Sequence, residues 1–306
     1  MTMISTSTSA FFERSTQGIG TLRARAEELQ TQLSKGQKLS RSSDDPVAAS
    51  RLRTLARADA LSNIDMANAN RATADLTLAD SALSSFANYI TRAKELATQA
   101  GTGTLSTAQR AGIGQELKQM VGDLVALANS RDSSGHSLFG GETAGDAYTV
   151  DGAGNASYNG TATSGELPLG DGQTITRGLT GPEFLSFDVN GTPTDLIAVV
   201  KALGDTLISG AGDPAAAARD ALGTLDTSLE TLTTAQTVVG SRLSWIDLTT
   251  ERRTNLSELR TGEEQDIGAT DIASTVADLQ QVMLVLEASQ ASFSKLSSLS
   301  LFDVLR

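Results

Sequence analysis

The chain has 306 residues, of which 39% are hydrophobic and only 4% aromatic, with a formal net charge of −12 and no cysteine. The lack of cysteine excludes disulfides, thiolate nucleophiles and zinc–thiolate sites. The acidic balance argues against nucleic acid or an anionic membrane surface as a partner, since both need clustered Lys and Arg. No run of eighteen apolar residues occurs, so membrane insertion is not expected.

The first predicted helix is defined by apolar residues at heptad spacing, which fall on one face of a helix. This seam consists of Phe12, Ile19, Leu22, Ala26, Leu29 and Leu33. Gly36 then interrupts the pattern. Asp45 followed by Pro46 predicts the start of a second helix, because Asp is a good N-cap and Pro is favoured at the first helical position.

The second predicted helix extends to about Gln99 and would be roughly 80 Å long at ~1.5 Å per residue. Its apolar face contains Leu76, Ala79, Leu83, Phe86, Ile90, Ala93 and Ala97. Gly101 and Gly103 end it. Ser106 and Gln109 form a capping-box pattern that predicts a third helix. The face of that helix contains Ile113, Leu117, Met120, Leu124 and Leu127.

The middle of the chain has a different pattern, in which short alternating segments are separated by Gly, Asn and Asp. Residues 147–150, 156–159 and 173–176 are examples, and such segments predict β-hairpins. Residues 140–191 are therefore predicted to form a small β-rich domain inserted between helical segments.

Helix is predicted again from Asp195, and Asp213 with Pro214 repeats the pattern of a cap followed by proline. The next seam keeps heptad spacing through Leu222, Leu225, Leu229, Leu232, Gln236, Val239, Leu243 and Ile246. A polar run at residues 261–264 predicts a break. A last helix follows, with Ile272, Val276, Leu279, Met283, Leu286, Gln290 and Phe293 on one face.

These elements predict a mainly α fold with a small β-rich inserted domain, in which helices from both termini form a long antiparallel bundle or coiled coil. Residues 1–40 and 270–306 would be terminal assembly helices. Residues 41–139 and 192–269 would form a helical rod domain, with residues 140–191 as the insert.

The terminal helices have apolar faces that no obvious core covers, and long exposed apolar stripes are rare on soluble proteins. We therefore expect an assembly interface there, although spacing alone leaves open which positions are core and which contact another subunit. The expected interface residues are Phe12, Ile19, Leu22, Leu29, Leu33, Ile272, Val276, Leu279, Met283, Leu286, Phe293, Leu301 and Phe302.

Several short motifs follow one another in a set order along the chain. The first contains Ser43, Asp44, Asp45 and Pro46. The others, in chain order, are Gly103 to Ser106, Leu127 to Asn129, Leu138, Phe139, Gly140 and Gly141, Tyr158 to Gly160, and Leu299 to Asp303. This ordered set resembles the flagellin superfamily and, within it, the hook–filament junction proteins. The Asp-Asp-Pro form and the short middle domain favour the junction proteins over flagellins.

The resemblance implies a structural adaptor of the bacterial flagellum that joins the hook-associated region to the flagellin filament and serves motility. The implied partners are other copies of the chain in a ring, the neighbouring hook-associated protein, flagellin and an export chaperone. The first ten residues lack the basic and apolar segments of a cleaved secretory signal. Export by the flagellar type III apparatus is implied instead, with terminal helices that fold on assembly.

Two alternatives remain open from the sequence. The chain could be a minor flagellin that forms the filament itself. The β-rich insert could also bind a glycan, with Tyr148, Tyr158 and Phe184 as stacking rings. An enzyme is not expected, because no catalytic constellation can be assembled around His136, the single histidine. No catalytic, cofactor-binding or metal-binding residue is predicted.

Overall fold

The computed structural model describes residues 3–39, 41–189 and 191–304, and the side chains of residues 10–39, 41–189 and 191–296. Within these ranges the elements are, in chain order, α1 (Met3–Lys35), α2 (Pro46–Ala100), α3 (Thr107–Ala128), β1 (Tyr148–Val150), β2 (Ala156–Tyr158), β3 (Glu166–Gly170), β4 (Gln173–Thr176), α4 (Pro182–Leu185), β5 (Ser186–Val189), β6 (Thr192–Asp195), α5 (Leu196–Ser209), α6 (Pro214–Gly268) and α7 (Ile272–Val304).

The chain divides into two compact units. Unit 1 consists of Met1–Ala60 and Leu256–Arg306, and unit 2 consists of Leu61–Asn255. Helices α2 and α6 contribute residues to both units. The predicted fold class is confirmed, since α1 and α7 pack against each other and small β-hairpins occur between them in the sequence.

The predicted helix starts are confirmed by their side-chain caps. Asp45 Oδ1 accepts hydrogen bonds from the backbone N–H groups of Val47 at 3.1 Å and Ala48 at 3.0 Å. Ser106 Oγ accepts from Gln109 N at 3.3 Å, and Gln109 Oε1 accepts from Ser106 N at 2.9 Å. These caps satisfy N–H groups that the first turn of a helix leaves without intrahelical partners.

Replacing Asp45 by alanine is expected to lower the free energy of unfolding by about 1 kcal/mol, because two N–H groups at the start of α2 lose their acceptor. Thermal unfolding followed by circular dichroism measures the effect. Asp45→Asn serves as the control, since asparagine keeps the capping oxygen and should stay close to the parent chain. Equal melting temperatures for the alanine variant and the parent would contradict the assigned cap.

The predicted break at residues 261–264 is wrong. Helix α6 continues through this run to Gly268, and the chain leaves helical geometry only at residues 269–271. The run is compatible with helix because Glu263, and Arg260 just before the run, pair with α2 within unit 1. Arg51 Nη2 donates to Glu263 Oε2 at 2.8 Å, and Arg260 Nη1 donates to Asp59 Oδ1 at 3.0 Å.

The helices of unit 2 enclose an apolar core formed by α2, α3, α5 and α6. The predicted α2 seam is buried throughout, at Leu76, Ala79, Leu83, Phe86, Ile90, Ala93 and Ala97. Helices α3 and α5 approach closely at Gly114, where an added Cβ would lie 2.7 Å from the carbonyl oxygen of Gly204. A larger residue at Gly114 would therefore push these helices apart.

The β-rich segment consists of three antiparallel hairpins, β1–β2, β3–β4 and β5–β6. The predicted strands at 147–150, 156–159 and 173–176 are confirmed to within about a residue as β1, β2 and β4. Strands β3, β5 and β6 escaped prediction. Pro168 lies in β3 and Pro193 in β6, and proline weakens the strand pattern because it cannot donate to a β-ladder.

Candidate assembly interface

Helices α1 and α7 pack against each other in unit 1, antiparallel, and bring part of the predicted interface together. The rings of Phe12 and Phe293 meet edge to face with centroids 5.4 Å apart. Leu29 is 2% exposed. The remaining predicted residues that are half-buried in this pair are Ile19, Leu22, Leu33, Leu279 and Leu286. These side chains stabilise the pairing of the two terminal helices.

Three predicted interface residues on α7 are not covered by α1. Ile272 is 64% exposed, Val276 36% and Met283 52%. Leu301 and Phe302 lie in α7, but their side chains are outside the described residues. The predicted seam therefore contains two sets of side chains, one that packs inside unit 1 and one that faces outwards.

The segment after α1 and the segment before α7 hydrogen-bond to each other. Lys38 N donates to Gly268 O at 2.8 Å, and Thr270 N donates to Gly36 O at 3.0 Å. Gly36 has a φ of +66°, which ends α1 without the strain that a side chain would bring. These bonds fix the end of α1 beside the start of α7.

The motif around Asp45 has a local structural role. Arg41 N donates to Asp44 Oδ2 at 2.7 Å, which closes the turn before α2. Asp45 then caps the helix, and Pro46 is its first residue. Ser43 is exposed beside them. The motif thus turns the chain from the connection into α2.

The motif at residues 138–141 lies in unit 2 and belongs to its core. Phe139 is fully buried, with its ring centroid 4.8 Å from that of Phe184 and 6.3 Å from that of Phe86. Leu138 is half-buried beside this cluster. At Gly140 an added Cβ would lie 2.6 Å from Thr143 Cγ2. Gly141 has a φ of +66°, where a side chain would be strained.

Two further motif residues hold the β1–β2 hairpin, Asn129 at the end of α3 and Tyr158 against neighbouring loops. Asn129 Oδ1 accepts from Tyr148 N at 2.8 Å, and Asn129 Nδ2 donates to Tyr148 O at 2.8 Å. The hydroxyl of Tyr158 donates to Thr161 O at 2.8 Å. A side chain at Gly160 would overlap the Tyr158 ring. The sequence motifs marked these positions without revealing that they are hairpin anchors.

A buried ionic cluster in unit 2 was missed by sequence reasoning. Arg177 Nε donates to Asp75 Oδ2 at 2.8 Å, and its Nη2 donates to Asp132 Oδ2 at 2.7 Å. Both carboxylates are nearly buried, with side chains 6% and 5% exposed. Asp132 Oδ1 also accepts from the N–H groups of Ser134 at 2.8 Å and His136 at 2.9 Å. This cluster connects the loop after α3 to α2 and to the end of β4.

Burial acts to raise the pKa of Asp132, but the N–H groups of His136 and Ser134 and the charge of Arg177 outweigh it, so its pKa lies below the ordinary value. A carboxylate with a depressed folded pKa stabilises the protein above its unfolded pKa of about 3.9, and that stabilisation is lost as pH falls through the folded pKa. The cluster should therefore weaken in acid.

Asp132→Asn is expected to lower the free energy of unfolding by about 1.5–3 kcal/mol at pH 7, because an amide NH2 replaces the charged oxygen that faces Arg177 and the remaining hydrogen bonds lose their charge assistance. The gap between the variant and the parent should narrow as pH falls below about 4, where the parent carboxylate becomes protonated. Denaturant titrations from pH 7 to pH 3 measure both effects. A gap of the same size at pH 3 would show that the charge of Asp132 contributes nothing.

The structure also bears on a glycan site, on metal-binding groups and on membrane-spanning helices. Tyr148 is 3% exposed and Phe184 is 0% exposed, so two of the three rings considered for glycan stacking are inside the core. Among the described residues, no group of three or more His, Asp or Glu side chains is placed to hold a metal ion. In the same part of the chain, no helix has the length and apolarity needed to cross a bilayer.

Comparison with known proteins identifies the family. Residues 4–144 match the bacterial flagellin N-terminal helical region. The chain is also 30% identical to flagellar hook-associated protein 3 of Salmonella typhimurium, in an alignment that covers 98% of this chain and 99% of that protein. The chain belongs to the hook-associated protein 3 family.

A second relative and a solved structure are also similar to the chain. Flagellar hook-associated protein 3 of Escherichia coli is 25% identical over 97% of this chain and 98% of that protein. The solved structure of the flagellar junction protein FlgL from Legionella pneumophila is 14% identical and has a TM-score of 0.59, covering 71% of this chain and 99% of that chain. At that identity the structural likeness shows a shared fold.

Proposed function

We propose that this chain is a structural adaptor of the bacterial flagellum, which joins the hook-associated region to the flagellin filament and is not an enzyme. The observation that carries the proposal is the nearly full-length similarity to a flagellar hook-associated protein 3. The geometry supports it. Apolar residues such as Ile272 and Met283 stay exposed on α7, whereas other residues of the same seam, such as Phe293, pack against α1.

The proposed assembly elements are the terminal helices, residues 1–40 and 270–306. Residues 41–139 and 192–269 would supply the rod domain, and residues 140–191 the β-rich insert. The fully buried Phe139 belongs to a packed core, as expected for a rod domain. The exposed apolar residues of α7 are available for contacts with other subunits. Exposed apolar surface of this kind is typical of surfaces that other proteins cover.

The proposed partners are further copies of the chain in a ring, the neighbouring hook-associated protein on one side and flagellin on the other. Before assembly, an export chaperone would cover the apolar C-terminal helix. The chain would reach the outside of the cell through the flagellar type III apparatus, and its terminal helices would complete their folding on the growing end.

Deleting the gene of this chain tests the adaptor role against the alternative of a minor flagellin. An adaptor is needed before the first flagellin can attach, so the deletion strain should build hooks without filaments and release flagellin into the medium. Electron microscopy and an immunoblot of the medium measure both effects, and restoring the gene should restore filaments. Filaments of normal length in the deletion strain would contradict the adaptor role and favour the minor flagellin.

A further inference from the structure

An open, uncharged groove lies between α1 and α7 in unit 1. Its volume is about 390 Å³, and the described residues that line it are all uncharged. Phe11, Val285 and Leu296 form apolar walls and remain 42%, 43% and 44% exposed. Gly18 and Ser289 lie between them and leave space for a side chain to enter. Charged residues make up 20% of the chain, yet none lines this groove. Such a groove is suited to bind apolar side chains.

The exposed residues Ile272, Val276 and Met283 form an apolar stripe on a different face of α7. At about 100° per residue, these three positions fall within roughly 40° of one another around the helix. Val276 and the groove residue Val285 lie on opposite faces by the same geometry. The α1–α7 pair thus has an apolar stripe on one side and an uncharged groove with apolar walls on the other.

Two different surfaces on opposite sides of one element are what a head-to-tail contact requires, since each copy offers one surface to the copy before it and the other to the copy after it. A rotation about a common axis combined with a shift along it, as within one turn of a helical assembly, keeps α7 parallel in neighbouring copies while staggering them. The stripe covers residues 272–283 and the groove covers residues 285–296 of α7, so each is about 17 Å long. The two surfaces therefore match in length as well as in lack of charge.

We propose that the stripe of one copy packs into the groove of the next copy, with neighbouring α7 helices staggered by about 20 Å along the helix axis. This arrangement places Val276 of one copy beside Ser289 of the next. The inference rests on the proposed function, because it assigns two surfaces to the self-assembly that the adaptor role requires.

Filling the groove provides the first test. Gly18→Phe should reduce incorporation of the chain into flagella at least tenfold, because the new ring occupies the space that the neighbouring stripe needs. Gly20→Phe is a matched control on the same helix, turned by about 160° from Gly18. An added Cβ meets nothing within 4 Å at either glycine. The readout is an immunoblot of flagella isolated from cells in which the variant is the only copy of this chain.

Cysteine cross-linking provides the second test, and the chain has no natural cysteine to interfere. Oxidation of flagella that contain Val276→Cys together with Ser289→Cys should give a ladder of linked copies. Within one copy these positions are about 20 Å apart along α7, too far for a disulfide. Val276→Cys with Thr16→Cys is the control pair, because Thr16 is exposed on α1 and does not line the groove.

The possible outcomes distinguish the stripe–groove contact from the adaptor role. A ladder restricted to the 276–289 pair, with loss of incorporation only for Gly18→Phe, supports the assignment of stripe and groove. Normal incorporation of Gly18→Phe, or assembled flagella without a ladder for the 276–289 pair, overturns it and leaves the adaptor role intact. Failure of the parent chain to incorporate into flagella would overturn both proposals.

Discussion

Phe139→Ala is expected to reduce the free energy of unfolding of unit 2 by about 3–5 kcal/mol, the usual cost of truncating a fully buried aromatic side chain. The Phe139 side chain is fully buried and contacts the rings of Phe86 and Phe184. Its removal loses burial and ring contacts and leaves a cavity where the helices meet the loop after α3. Guanidinium denaturation followed by circular dichroism measures the loss.

Phe139→Leu is the matched control, since leucine keeps most of the apolar volume and should cost distinctly less than alanine. Comparing the stability losses of the two variants distinguishes the loss of core volume from an effect on the loop backbone. A loss below about 1 kcal/mol for the alanine variant, within the range of ordinary surface substitutions, would contradict the role of Phe139 as the centre of this aromatic cluster.

Leu279→Asp is expected to abolish incorporation of the chain into flagella. Leu279 is half-buried in α7, which packs against α1. An aspartate there would have to leave its charge without a partner in an apolar contact, which costs several kcal/mol. The paired terminal helices would separate or shift, and the surfaces that contact other subunits would be lost with them. An immunoblot of isolated flagella, with the secreted chain as reference, measures incorporation.

Gln281→Asp introduces the same charge two residues further along, at an exposed position of α7. It should incorporate like the parent chain, because its carboxylate stays in water. Unit 2 should keep its folding stability in both variants, since residue 279 belongs to unit 1. Normal incorporation of Leu279→Asp would show that the α1–α7 contact is dispensable for assembly.

Local signals explain which parts of the fold could be predicted from sequence. The starts of α2 and α3 depend on side chains within three residues of the cap, so Asp45, Ser106 and Gln109 were sufficient to place them. The ion pairs of Arg177 are different, because its partners Asp132 and Asp75 are 45 and 102 residues away. No local sequence pattern predicts an ion pair between residues so far apart in the chain.

The α7 seam shows a second limit of sequence reasoning. Heptad spacing places apolar residues on one broad face, but it does not tell which part of that face a neighbouring helix covers. Leu286 and Phe293 pack towards α1, whereas Ile272 and Met283 face outwards. The polar run at residues 261–264 was misread for a related reason, since its partners on α2 are visible only in the folded chain.

Immunogold electron microscopy of intact flagella, with antibody against residues 140–190, tests the central claim most directly. The adaptor role predicts a single band of label where the hook meets the filament. Label distributed along the whole filament would contradict that role and show that the chain is a flagellin.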